Sequence, residues 1–275
     1  MSAIREAVSE HPTATFAAED EQGTRWIGSD SILFATQNRP WPPPMTPWVM
    51  RQRWNDLLFL HYEVAPEKLR TLVPPALTLD TYEQRAWLSI TPFWMDHLRP
   101  PGVPSLPWVS RFLELNVRTY VSYQGKPGVY FFSLDASHLT AVWGARILYR
   151  LPYWHAAMKV QGRGKARIQY QSKRSHGPKP AELKMSYGPT GPEFHARPGS
   201  LEHFLCERYC LYSATPKRLY RAEIHHLPWA LQPAAAQTEE NSMTKTLGLQ
   251  LPAEADAMQF SRSLKVLVWA PERLI

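Results

Sequence analysis

Four polar side chains alternate with apolar ones in the segment Phe112-Leu-Glu-Leu-Asn-Val-Arg-Thr-Tyr-Val121. In an extended strand, Glu114, Asn116, Arg118 and Tyr120 share one face and Leu115, Val117, Thr119 and Val121 the other. A guanidinium on such a face can hold a carboxylate or a phosphate. If the face lines an interior, the four residues form a ligand site; if it is wet, Glu114 and Arg118 pair across a solvated surface. Alternation defines the two faces without saying which one is inside. A second candidate is Lys159 in Ala-Ala-Met-Lys-Val, where burial would lower the amine pKa as a Schiff-base nucleophile requires. Its bland alternative is an exposed strand lysine between Met158 and Val160. In Leu219–Leu227, Glu223 and His225 share a face and His226 points to the opposite one. A Glu–His pair can do acid–base work, but a histidine hydrogen-bonded in place before Pro228 explains the pattern equally. His203, Cys206, Glu207 and Cys210 have i,i+4 spacing on an expected helix. Their His-x-x-Cys-Glu-x-x-Cys pattern fits neither common zinc spacing, so buried thiols are expected and no metal. No GxGxxG, P-loop or nucleophile-elbow pattern occurs, and no cofactor is expected.

These residues need strands to hold them. Leu57–Val64, Arg85–Trp94, Leu115–Tyr123 and Val129–Leu134 read as strands by composition, with a bulge or an edge at Pro92 and a turn at Gln124–Gly128. Further strands are expected near Ala157–Gln161, Lys165–Gln171, Glu182–Tyr187, Leu219–His226 and Leu264–Trp269. Helices are expected at Pro66–Val73, over 138–150 and at Leu201–Tyr212 behind a Ser200 cap. Many strands with two or three helices give a β-dominated α+β domain over residues 47–275. The acidic, then Pro-rich, residues 1–46 are expected to form a poorly ordered extension.

The 275-residue chain is 44% hydrophobic and contains 11 Trp, 12 Tyr and 10 Phe, enough for a substantial core. Those rings, among them Trp87, Trp94, Trp108, Trp143, Trp154 and Trp229, pack a core or line an apolar pocket. Two cysteines exclude a disulfide scaffold and point to the cytoplasm. No apolar run is long enough to span a membrane. The formal charge is +7; residues 1–50 carry three basic and six acidic side chains, leaving +10 for the remainder. The excess lies between Arg146 and Lys184, where Arg163, Lys165 and Arg167 alternate with Gly164, Ala166 and Ile168. As a strand this makes a solvated sheet face, so no nucleic-acid partner is expected, although a basic stripe for a macromolecule stands as an alternative.

The segments HYEVAPEKLRTLVPPALTLDTYEQRAWLSITPF, FLELNVRTYV, KPGVYFFSLDAS, ARILYRLPYWHAAM, FLCERYCLYS and LYRAEIHHLPWALQ resemble the YqjF-like family of uncharacterised bacterial proteins (DUF2071) from about Trp48 to Trp269. That family is similar in fold to acetoacetate decarboxylase. The resemblance implies a closed, cone-like, antiparallel or mixed β-barrel around a cavity. Acetoacetate decarboxylase uses a lysine Schiff base activated by a neighbouring lysine. By that resemblance Arg146 and Pro152 match, but the lysine pair falls on Tyr153 and Trp154, neither of which can form an imine. Ile147 and Trp87 stand where the pattern has acidic residues.

The expected function is therefore binding of, or action on, a small anionic or mildly apolar molecule in the barrel cavity, without decarboxylase activity. Glu114, Asn116, Arg118, Tyr120 and His225 are the candidate ligand contacts. A lyase using Lys159 as a relocated Schiff-base lysine is the enzymatic alternative. Oligomerisation is left open.

Overall fold

The computed structural model describes residues 31–103, 111–138, 149–174 and 180–275. Segment 1–30, most of the helix expected over 138–150 (with Trp143, Arg146 and Ile147), Trp108 and Lys179 lie outside the described residues. The described chain forms β1 (Met50–Val64), α1 (Pro66–Arg70), β2 (Thr78–Leu79), β3 (Ala86–Arg99), β4 (Phe112–Tyr123), β5 (Lys126–Ala136), β6 (Tyr153–His155), β7 (Ala157–Gln161), β8 (Ile168–Arg174) and β9 (Ala181–Pro189). Then follow α2 (Leu201–Cys206), β10 (Cys210–Thr215), β11 (Arg218–His225), β12 (Gln232–Asn241), β13 (Ala257–Val268) and β14 (Glu272–Arg273).

Hydrogen bonding runs β14-β11-β10-β5-β4-β3-β1-β13-β12-β9-β8-β7. A further pairing of β11 with β13, through Ile224–Val268 and His225–Leu267, returns the path on itself. The strands β1, β3, β4, β5, β10, β11 and β13 thus form a ring, mixed in direction because β10 runs parallel to β5. The β-dominated α+β architecture is the expected one. Among the described residues no helix is long and apolar enough to cross a membrane.

Two apolar clusters explain why β1 from Leu57 onward and most of β3 read as near-continuous apolar runs. Leu57, Phe59, Phe93 and Phe131 face the inside of the ring. Leu58, Leu60, Leu88, Ile90, Leu115 and Val117 face outward and pack under Ile168, Tyr170, Leu183, Met185 and Tyr187 of β8 and β9. A strand covered on both faces loses its polar alternation. β8, with one face wet, keeps it, alternating buried and exposed residues from Ile168 to Arg174. Pro92 sits mid-sheet, not at an edge: β3 pairs on both sides, and the ladder to β1 shifts register between Asn55 and Leu60, opposite the proline.

Three expectations are corrected. The second helix ends at Cys206, and Cys210 begins a strand paired with β11 and, one residue on, with β5. Tertiary pairing overrides the helical spacing, so Cys206 and Cys210 share no helix face. Arg163, Lys165 and Arg167 lie in the turn between β7 and β8, where Gly162 (φ +76°) and Gly164 (φ +72°) reverse the chain; they form no strand face. The basic stripe is further broken by Arg174, which is buried and salt-bridged to Asp135. Finally, residues 31–46 are no loose arm. Ile32 and Leu33 are buried with Trp48, Leu267 and Trp269. Arg39 is buried on Glu223 at 2.9 Å, and Trp41 Nε1 donates to the same carboxylate at 2.8 Å. β12 was not anticipated: its Pro-Ala-Ala-Ala-Gln-Thr-Glu-Glu sequence is weakly apolar, and pairing with β9 makes it a strand.

Candidate functional site

The ring encloses a cavity of about 280 Å³. β1 contributes Trp54, Leu57 and Phe59; β3 contributes Thr91, Phe93 and Met95; β4 contributes Phe112, Glu114, Asn116 and Arg118. The far wall holds Val129, Phe131, Tyr153, Ile224, His226 and Trp229, and α2 adds Cys206. The wall is mainly apolar and aromatic: Trp54 stacks on Trp229 at 6.0 Å, and Phe59 meets Trp229 edge-on at 5.0 Å. At ~30 Å³ per water, this volume suits a ligand of roughly ten non-hydrogen atoms.

The β4 alternation turns Glu114, Asn116 and Arg118 into this cavity. Arg118 is 8% exposed and makes no salt bridge among the described residues. Its one hydrogen bond there is long, from Nη2 to the Leu205 carbonyl at 3.4 Å, and its buried Nε has no partner. The guanidinium instead lies over the rings of Phe59 (5.2 Å) and Tyr120 (5.9 Å). Arg208, which also lines the cavity, is committed: it salt-bridges Asp80 and donates to the Phe204 carbonyl at 2.6 Å. Asn116 Oδ1, Thr91 Oγ1 and Trp229 Nε1 are likewise buried without partners among the described residues.

Glu114 is 4% exposed and accepts a hydrogen bond from the Tyr153 hydroxyl at 2.9 Å. Burial pushes its carboxyl up to about 8, against the pull of that hydrogen bond and with a push from Asp135. Glu114 is thus protonated at neutral pH. Burial, reinforced by Glu114, holds the Tyr153 phenol well above its ordinary value.

The remaining sequence candidates fall elsewhere. Tyr120 is fully buried beyond the cavity lining, hydrogen-bonded to Ser89 at 2.6 Å. His225 is not a cavity residue. Its Nε2 meets the Ile32 carbonyl at 2.6 Å, and Glu223 beside it grips Arg39, Trp41 and Lys126. Burial lowers His225 to about 4. His225 and Glu223 do share a face, but that face holds residues 31–46, and His226 points inward, stacked on Tyr209 at 4.6 Å. Lys159 is exposed on β7, away from the cavity. Cys206 lines the cavity with its thiol pushed well up by burial, whereas Cys210 packs in a separate cluster. Sequence reasoning missed Trp54, Thr91, Arg208 and the role of Tyr153. The resemblance did mark position 153 as lying where chemistry is done, the signal that could have found it.

A mixed barrel wrapped around an apolar cavity with a few ionisable groups is the acetoacetate-decarboxylase-like fold. Acetoacetate decarboxylase from Legionella pneumophila superposes with a TM-score of 0.57 over 90% of this chain and 96% of its own, at 13% identity. The enduracididine biosynthesis enzyme MppR, in its complex with pyruvate, does so with a TM-score of 0.58 over 86% and 96%, also at 13% identity. Within that fold, the chain belongs to the family described as uncharacterized conserved protein DUF2071, which matches residues 51–265. The uncharacterized protein YqjF of Bacillus subtilis is 46% identical over 222 residues, 81% of this chain and 91% of that protein.

Proposed function

We propose that this protein binds a small, carboxylate-bearing molecule with an apolar body in its barrel cavity, Arg118 holding the carboxylate. The observation that carries this reading is the buried guanidinium of Arg118, facing the cavity with no carboxylate partner among the described residues. A buried charge without a partner is costly, and an anionic ligand would supply the partner. Asn116 and Glu114 lie along the same inner strand face as further contacts, while Tyr120 props the guanidinium from below. His225 serves the fold by anchoring residues 31–46. The similar fold of MppR, a protein complexed with pyruvate, supports a small acid as the class of ligand.

No Schiff-base step belongs to this reading. Tyr153 and Trp154 stand where the resemblance puts the lysine pair, and Lys159 lies on the outside. The test is titration calorimetry with 3-phenylpropionate, a carboxylate on an aromatic body that matches the cavity's size. Charge-assisted hydrogen bonds contribute roughly 1.5–3 kcal/mol, so Arg118→Met should weaken binding by roughly 10- to 100-fold. Equal affinity in wild type and variant would remove Arg118 as the anchor.

A further inference from the structure

We infer that the ligand has a second recognised end, a neutral oxygen acceptor such as a ketone or ether, seated on the Glu114–Tyr153 pair while its carboxylate sits on Arg118. This rests on the binding reading above and deepens it by naming the ligand class: a monocarboxylate with a neutral acceptor at its far end.

The strand sets the spacing. Glu114 and Arg118 are four residues apart on one face of β4, so at ~3.3 Å per residue their Cα atoms lie about 13 Å apart. Asn116 stands between them, and the rings of Trp54, Phe59, Phe93 and Trp229 wall the same space. The inner face of β4 thus sets a cation at one end of a polar line through a mainly apolar chamber and a carboxyl group at the other.

The groups around Glu114 decide what that far end accepts. Tyr153 of β6 donates to its Oε2. The Tyr170 hydroxyl of β8 is spent on the carbonyls of Phe93 and Glu114 itself. Asp135 of β5 adds a nearby negative charge, and the cation that faces it, Arg174 of β8, salt-bridges Asp135 and not Glu114. Tyr149 lines the same region as an uncharged phenol, held above its ordinary value by burial. No cation pairs with the Glu114 carboxyl among the described residues, so a second anionic group on the ligand would meet repulsion there. Burial keeps Glu114 protonated at neutral pH. A protonated carboxyl that accepts from Tyr153 still has its own O–H to donate, and a neutral oxygen is the complement of that donor.

The test uses three acids that differ only at the far end: 3-(4-acetylphenyl)propionate, 3-(4-isopropylphenyl)propionate and 3-(4-carboxyphenyl)propionate. Each is titrated into the full-length wild-type protein, Glu114→Gln and Arg118→Met at pH 6.5 and pH 9. The ketone should bind wild type about 10-fold more tightly than either analogue at pH 6.5. That preference should shrink severalfold at pH 9, where Glu114 ionises and loses its donor, and should persist at both pH values in Glu114→Gln, whose amide remains a neutral donor. If Glu114→Gln does not fold, the wild-type pH comparison supplies the readout. Equal binding of ketone and isopropyl acids, or tighter binding of the dicarboxylate, would overturn the second end. If those acids still lose affinity in Arg118→Met, the carboxylate anchor survives that failure. If none of the three binds wild type at millimolar concentration, both readings fall.

Discussion

Replacing Arg118 with methionine should make the protein more stable while removing its ligand anchor. Methionine keeps an unbranched side chain and fills irregular space, so the change isolates the charge. What the fold loses can be itemised. The two ring contacts, with Phe59 at 5.2 Å and Tyr120 at 5.9 Å, are worth about 0.5–1 kcal/mol each. The 3.4 Å bond to the Leu205 carbonyl adds about 0.5 kcal/mol at most. Against this stands the penalty for a guanidinium buried without a carboxylate, several kcal/mol after relaxation. The difference favours the variant by about 1–2 kcal/mol, or roughly 2–8 °C in Tm for a domain of this size. Urea unfolding followed by tryptophan fluorescence measures it, and an unchanged slope with denaturant shows that the same surface unfolds. A loss of more than about 1 kcal/mol would mean that Arg118 is a structural residue, and the argument from its missing partner would be wrong.

Other consequences follow from the same geometry. Folding raises Glu114 from its ordinary 4.5 to about 8, so between those values the unfolded chain holds fewer protons than the folded one. This contribution to stability is complete below pH 4.5 and is lost as pH rises through 8, at up to about 1.4 kcal/mol per pH unit. Between pH 6.5 and 8, urea unfolding should show wild type losing stability relative to Glu114→Gln at this slope; the buried His61, His225 and His226, whose lowered values leave them with fewer protons folded than unfolded near pH 6.5, push both proteins the other way and cancel in the difference. Asp135→Asn removes the carboxylate that salt-bridges the buried Arg174 and should cost about 3–5 kcal/mol by denaturant unfolding. Lys159→Ala, on the exposed side of β7, should change stability by less than about 0.5 kcal/mol and leave the calorimetric affinity for 3-phenylpropionate unchanged.

Residue periodicity carried the polar face of β4, because alternation survives wherever a strand has unlike neighbours on its two sides. It did not say that this face was the inside; ring closure through β11 and β13 settles that. The end of α2 was illegible because i,i+4 spacing of Cys206 and Cys210 is also compatible with a helix that stops and a strand that starts, and the strand's partners lie far away in sequence. The charges at Arg163, Lys165 and Arg167 alternate in sequence but fall on a glycine-built turn, where alternation has no meaning. His225 and His226 were separated correctly onto opposite faces, yet which one faces the cavity depends on residues 31–46, whose docking no periodicity announces. In the sequence Tyr153 shows only that no lysine stands there, because its partner Glu114 is 39 residues away and meets it only in the folded barrel.

The most direct measurement is a crystal structure of the protein grown with 3-(4-bromophenyl)propionate, located by the anomalous signal of its bromine. The account predicts one bromine peak inside the ring, beside Trp54 and Trp229, with the carboxylate on the Arg118 guanidinium. A fully occupied ligand in the cavity with its carboxylate turned away from Arg118, or bromine found only on the outer surface, would contradict it.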